Sequence, residues 1–388
     1  MRLSKTFRLR ILCVHQGGEL YGSDRSFLQA VEALKTGWPE AWVRVVLAVD
    51  GPLRPMLELV ADEVVVRDLA VLRLANPWAT LAKTTVALPW YLAAAASDIM
   101  RSDLTYINTT VIADYTIVSR IFSSKTVIHA REIPKSKLMP FIRGLLRASG
   151  SRIIFNSAAT KQAFSLHPKQ SSTVIHNGIS VVPNNKLPEL PETFNAARPL
   201  RLAMLGRISD WKGQDLLIEA LEMLAPADRV RVRVRIVGST FRDVHGPIIA
   251  LQSQIAAAGL TDIVTLESFR DNPSEVYAWS DLCVVPSRLP EPFGRVAVEA
   301  MAHARPVIAA SHGGLVEIVE DGSSGWLVMP NDPVELAKSI RAALSDPSEV
   351  RRRGLAAHSR FDSEFSATKM SSRLRDVLQD WVPALRKN

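Results

Sequence analysis

Two carboxylates eight positions apart, Glu291 and Glu299, stand in the stretch Glu291-Pro292-Phe293-Gly294-Arg295-Val296-Ala297-Val298-Glu299. The first lies in a Pro/Gly-rich loop and the second a little over one turn inside a helix of small residues. Acids in these settings can grip a hydroxyl-rich molecule. Glu299, set among Val and Ala, calls for a partner such as a ribose diol or a neighbouring Arg or Lys. Upstream runs Gly206-Arg207-Ile208-Ser209-Asp210-Trp211-Lys212-Gly213. Arg207 can fork onto two phosphate oxygens, and Lys212 supplies a mobile point charge. A plain strand-to-helix turn with surface charges fits that segment equally well on its own. Downstream, Gly313-Gly314 precedes Glu317. Consecutive glycines leave amides open to an oxyanion, although they also simply turn a chain. Together the three segments point to a polyanionic, hydroxylated ligand held in the second half.

The first half offers His129, in His129-Ala130-Arg131-Glu132-Ile133-Pro134. It falls at the end of an expected strand and is flanked by charges, which marks a site candidate. His15 follows the opening strand, His176 lies near a turn or the ligand cleft, and His303 reads as structural. No paired histidines and no Asp-x-Asp cluster offer a metal cage, so no metal is expected.

These residues need a scaffold. Short apolar, β-rich runs over 9–14, 43–49, 63–66, 104–107, 126–128 and 152–155 are mostly bounded by Asp, Gly, Asn or Pro, with helical patterns between several of them. After a proline-rich, aperiodic stretch the alternation restarts at 202–205, 232–237, 263–266, 282–285, 307–309 and 325–328. Alternation of this kind predicts an α/β fold with parallel sheets covered on both faces. The expected organisation is a domain over 1–185, a linker over 186–198, a second domain over 199–360, and a helical segment over 361–388.

At 388 residues, 47% of them hydrophobic, the chain can fill two cores. Cys13 and Cys283 each sit in an apolar run and are expected as buried free thiols in a reducing compartment. The basic start is interrupted too soon for a secretory leader, and no run reaches the roughly 18 apolar residues of a membrane span. The apolar stretch 86–96 suits a buried helix or a patch resting on a bilayer. The net charge of +8 is spread along the chain. With no nucleic-acid-binding signature, the expected anionic partners are phosphorylated substrates and the surface of an anionic membrane.

The ordered set Gly206-Arg207…Lys212-Gly213, Pro286-Ser287…Glu291-Pro292-Phe293-Gly294…Glu299-Ala300 and Pro306-Val307…Gly313-Gly314…Glu317 resembles retaining glycosyltransferases of family 4, to which sucrose synthase and relatives of glycogen synthase belong. Tyr21-Gly22-Ser23-Asp24, Asn108, Asn156-Ser157 and His176-Asn177-Gly178 are similar to further recurring positions of that family. Asp24 stands where Glu is commoner, and Ala304 where glycine often stands.

The resemblance implies the GT-B architecture, two Rossmann-like domains facing across a cleft with a last helix returning to the first. Arg207 and Lys212 would then bind the donor diphosphate, Glu299 the ribose, and Glu291 the donor-sugar hydroxyls with help from the Phe293 and Gly294 backbone. Gly22 would close over the diphosphate, and His129 would bond the reacting sugar. Gly313, Gly314, Asn108 and Asn177 are further candidates. The implied reaction moves a hexosyl unit from a nucleotide diphosphate sugar to a hydroxyl of a saccharide or lipid-linked saccharide. Configuration would be retained and no metal or other cofactor used, in cell-surface polysaccharide, lipopolysaccharide or glycolipid synthesis. The expected setting is the cytoplasm, with peripheral contact to the cytoplasmic face of the inner membrane. A sugar-phosphate synthase or phosphorylase on the same fold, or a non-catalytic nucleotide-sugar-binding subunit, are the alternatives. A Rossmann dehydrogenase is not expected, because no Gly-x-Gly-x-x-Gly followed by an acid is present.

Overall fold

The computed structural model describes residues 8–72, 77–134, 137–180, 189–240 and 246–387. It divides into two compact units, Met1–Gly178 together with Ala367–Asn388, and Ile179–Ser366.

In the first unit, strands β1 (Arg10–His15), β2 (Trp42–Leu47), β3 (Glu63–Val66), β4 (Leu104–Ile107), β5 (Thr126–Ala130), β6 (Arg152–Phe155) and β7 (Ser172–Val174) form one sheet. Its order is β3-β2-β1-β4-β5-β6-β7, and every pairing is parallel. The strand β7 was not anticipated; its three residues carry too little pattern to stand out. Alternate side chains of β1 feed opposite faces, Ile11 and Cys13 into one cluster and Leu12 and Val14 into the other. Burial on both sides is why these strands read as continuous apolar runs.

The late helix Ala367–Trp381 packs with helix Gly22–Gly37 on the first of these faces. Its buried residues Met370, Leu374 and Leu378 recur every four positions, one stripe of an α-helix. The last helix therefore returns to the first unit. Stretch 86–96 lies in helix Pro77–Met100, where Ala95 and Ile99 enter the core and Trp90 is 79% exposed. The side chain of Val86 lies outside the described residues. Among the described residues no helix is long and apolar enough to cross a membrane.

In the second unit, β8 (Leu200–Leu205), β9 (Val232–Val237), β10 (Val264–Glu267), β11 (Leu282–Val285), β12 (Val307–Ala310) and β13 (Gly325–Val328) pair in parallel, in the order β10-β9-β8-β11-β12-β13. Of the proline-rich stretch, 181–188 lies outside the described residues. Residues 189–198, expected as linker, instead pack on the second unit: Phe194 is buried in its core, and Arg198 forks onto both Asp281 oxygens at 2.7 Å. Segment 361–366 also stays with this unit, because Phe361 and Phe365 are buried in it.

Both sheets grow outward from their first strand, then return to its other side. The strand order reverses between β1 and β4, and again between β8 and β11. Loops leaving the carboxyl ends of such strand pairs splay apart and leave a crevice for ligands. In the second unit these are the loops of Lys212 and Glu291; in the first they follow His15 and Asn108.

Candidate functional site

Lys212, on the loop after β8, reaches Glu291 on the loop after β11: Nζ lies 2.6 Å from Oε1. Glu291 is 6% exposed, and the same oxygen accepts a 2.6 Å bond from the Ser287 hydroxyl. One oxygen of the buried carboxylate is held by a cation and a hydroxyl at once. The carboxylate expected to meet sugar hydroxyls is thus paired with the cation expected to meet phosphate. Arg207 is exposed on its loop, and its carbonyl accepts from Gln214 Nε2 at 3.0 Å.

The glycine pair supports this loop from beneath. A side-chain carbon on Gly313 would stand 2.5 Å from the Glu291 carbonyl oxygen, and one on Gly314 would stand 2.4 Å from that of Phe293. The Gly314 amide donates to the Glu291 carbonyl at 2.7 Å. That amide, expected to be open for an oxyanion, is instead committed to the loop. Phe293 turns its ring into the core against Phe365, so only its backbone faces the loop. Gly294 caps helix Arg295–Ala302 with φ 115°, a conformation that L side chains avoid.

Glu299, one turn into that helix, is satisfied from within the protein. Arg295 Nε donates to one oxygen at 2.8 Å and the Tyr277 hydroxyl to the other at 2.9 Å. Burial and the Glu299 charge push the Tyr277 phenol well above its ordinary range, so it stays a neutral donor. His303 lies 5.0 Å from the Tyr277 ring, stacked and buried, as a structural histidine should be.

In the first unit the candidates meet through residues the sequence did not single out. Asp24 accepts from the Tyr21 amide at 3.1 Å, beside exposed Gly22, and its other oxygen meets His15 Nε2 at 2.8 Å. His15 Nδ1 meets Asn108 Nδ2 at 3.1 Å, and Asn108 Oδ1 accepts from Arg131 Nε. The Arg131 guanidinium also donates to Asn177 Oδ1 and, at 3.1 Å, to the Tyr106 hydroxyl, which bonds His129 Nδ1. Burial, then the Arg131 charge, holds His129 well below its ordinary range. Its buried Nε2 has no hydrogen-bond partner among the described residues. Asn108, Asn177 and His129 therefore belong to one buried network whose hub is Arg131. Tyr106, a strand residue, gave no sequence signal. Arg131 was legible only as a charge beside His129.

Among the described residues no group of three His, Cys, Asp or Glu is placed to hold a metal ion.

Residues 189–360 match the family model described as glycosyl transferases group 1. A D-inositol 3-phosphate glycosyltransferase of Geodermatophilus obscurus is 40% identical over 149 residues, covering 37% of this chain and 33% of that protein. Another, of Mycolicibacterium vanbaalenii, is 34% identical over 218 residues, 53% of this chain and 48% of that one. The matched part thus spans about a third to a half of these relatives' length. Among solved structures, Anabaena HepE in complex with UDP and glucose superposes with a TM-score of 0.77 and 25% identity, covering 96% of this chain and all of that one. Sucrose-phosphate synthase from Thermosynechococcus elongatus, at 20% identity and TM-score 0.74, covers 97% of this chain and shares the fold. The architecture is GT-B, with two Rossmann-like α/β units. Over residues 189–360 this chain is thus similar to the glycosyl transferases group 1 family.

Proposed function

We propose that this protein is a retaining glycosyltransferase. It would move a hexosyl unit from a nucleotide diphosphate sugar to a hydroxyl of a saccharide or lipid-linked saccharide, in cell-surface polysaccharide or glycolipid synthesis. The observation that carries the reading is the convergence of Lys212, Glu291 and Ser287 at the strand-order reversal of a unit matched to group 1 glycosyltransferases. Likeness to a structure solved with UDP-glucose supports a nucleotide sugar as donor.

Departure of a nucleoside diphosphate needs its growing negative charge neutralised. Lys212 and Arg207 are assigned to the diphosphate, aided by the amides that open helix Arg295–Ala302. Cations and amides in that role leave the reaction without need of a metal. Glu299, oriented by Arg295 and Tyr277, is assigned to the ribose diol. Glu291 takes donor-sugar hydroxyls on Oε2, with the Phe293 and Gly294 backbone beside it. In the first unit His129 Nε2 is assigned to a sugar hydroxyl, and Gly22 to the diphosphate.

Same-face attack, with the departing phosphate oxygen taking the acceptor's proton, needs no carboxylate nucleophile. Glu291, tied to Lys212 and Ser287, is suited to binding and not to displacement. The protein is assigned to the cytoplasm, in peripheral contact with the inner membrane.

Incubation with UDP-, GDP- and ADP-hexoses and acceptor saccharides, with the product linkage read by NMR, tests the proposal. An α-linked product from an α-linked donor supports it. An inverted product, or no transfer from any donor, counts against it.

A further inference from the structure

The buried network of the first unit does more than fill space. Arg131 is 7% exposed, yet among the described residues its guanidinium bonds neutral oxygens: Asn108 Oδ1, Asn177 Oδ1 and the Tyr106 hydroxyl. Burying a guanidinium against neutral acceptors is costly unless its donors are well satisfied. The geometry supplies that satisfaction, and it has a consequence for the neighbouring ring.

A phenol has one proton. Arg131, which can only donate, bonds the Tyr106 oxygen, so the Tyr106 proton is left to go to its other partner, His129 Nδ1. A neutral imidazole that accepts on Nδ1 carries its own proton on Nε2. That nitrogen is buried and without a partner among the described residues. An orphaned buried donor is rare in folded proteins and marks a position waiting for an acceptor.

Arg131 is itself held from behind. Because a guanidinium only donates, the Asn108 amide turns Oδ1 to Arg131 and so Nδ2 to His15 Nδ1, while His15 Nε2 meets Asp24. Donation thus runs outward from Arg131 on both sides, through Asn108 towards His15 and Asp24, and through Tyr106 to His129.

We propose that Arg131 is a positioning residue: acting through Tyr106, it locks His129 as a neutral imidazole with its proton on Nε2, a fixed hydrogen-bond donor for a ligand oxygen. His129 therefore neither supplies nor takes a proton during turnover. This deepens the transferase reading, on which only the identity of the ligand oxygen depends. The groups that bear on the ring are Arg131, from the loop after β5, and Tyr106 on β4, with the Cys13 thiol of β1 beside Tyr106 and held protonated by burial.

The test is nitrogen-15 NMR of the histidine-labelled protein, with His129 assigned by difference against His129→Asn. In the unsubstituted chain His129 is expected in the Nε2–H form and neutral across pH 5 to 8. Tyr106→Phe, which removes the donor to Nδ1, should populate the Nδ1–H form. Arg131→Gln should raise the His129 pKa into the observable range, and Arg131→Lys should restore neutrality in part. An Nδ1–H form in the unsubstituted chain, a His129 that titrates normally there, or a Tyr106→Phe spectrum with an unchanged His129 would each overturn the proposal. The first two need no variant to fold. The spectra make no use of turnover, so failure of the transferase reading would show separately, as absent activity beside an intact His129 signature.

Discussion

Lys212 Nζ and Glu291 Oε1 lie 2.6 Å apart although 79 positions separate the two residues in sequence. The contact exists because β8 and β11 are neighbours in the sheet, so the loops leaving them end side by side. It places a cation and an anion at one point, where a diphosphate sugar carries both an anion and hydroxyls.

Lys212→Met should separate folding from chemistry. It leaves the buried Glu291 carboxylate with Ser287 as its remaining side-chain partner, a loss of about 1–3 kcal/mol in urea unfolding. Transfer should fall by about 100-fold or more, the scale set by losing one group that stabilises transition-state charge. Adding Glu291→Gln should recover most of the stability and none of the transfer. Recovery of both would assign the pair to structure alone.

Tyr277→Phe removes the 2.9 Å bond that orients Glu299 and leaves Arg295 to hold it. Nucleotide affinity measured by calorimetry should weaken by up to about tenfold, the equivalent of one hydrogen bond. A 2′-deoxy nucleotide should lose the sensitivity to this substitution. Equal losses with both nucleotides would mean that Glu299 does not hold the ribose.

Ala304 occupies the left-handed region at φ 56°. A side chain there costs roughly 1–2 kcal/mol, part of which glycine returns in unfolded-state entropy. Ala304→Gly is therefore expected to raise stability by about 0.5–1 kcal/mol, read as a higher urea midpoint at unchanged slope. A lower midpoint would show that the methyl group packs better than its backbone is strained.

Burial holds His129 and His303 below their ordinary range. Below about pH 6.5 the unfolded chain takes up protons that these folded rings refuse. Their contribution is thus present at neutral pH and lost as pH falls, with a slope of up to about 1.4 kcal/mol per pH unit for each ring. His303→Gln should flatten the fall between pH 6.5 and 5. An unchanged slope would show that His303 is protonated in the folded protein.

Burial pushes the Cys283 thiol up to about 12, so almost none is thiolate at pH 8. The native chain should react with a thiol reagent only as fast as it unfolds, and fully in denaturant. Rapid native labelling would contradict the buried placement of Cys13 and Cys283.

Much of the fold could be read from the chain, because two-sided burial makes parallel strands into apolar runs with clear ends. The run 63–66 and the strand β3 coincide, as do 232–237 and β9. What stayed hidden depends on register. Nothing local says that Tyr106 and His129, on adjacent strands, share a hydrogen bond, or that Tyr277 would meet Glu299 from another helix. The proline-rich stretch misled for a different reason. Clustered prolines break up helical and strand periodicity, but they do not prevent Phe194 from packing or Arg198 from pairing with Asp281. Gly313-Gly314 was visible as a glycine pair, but the close approach of the Glu291 loop, which takes up the Gly314 amide, was not.

Calorimetric titration of the intact protein with UDP-, GDP- and ADP-hexoses, repeated on Lys212→Ala and Glu299→Ala, bears most directly on the donor site. One nucleotide sugar should bind the unsubstituted chain and lose at least about tenfold in affinity with either substitution. Binding left undiminished by both would contradict the placement of the nucleotide sugar among these residues.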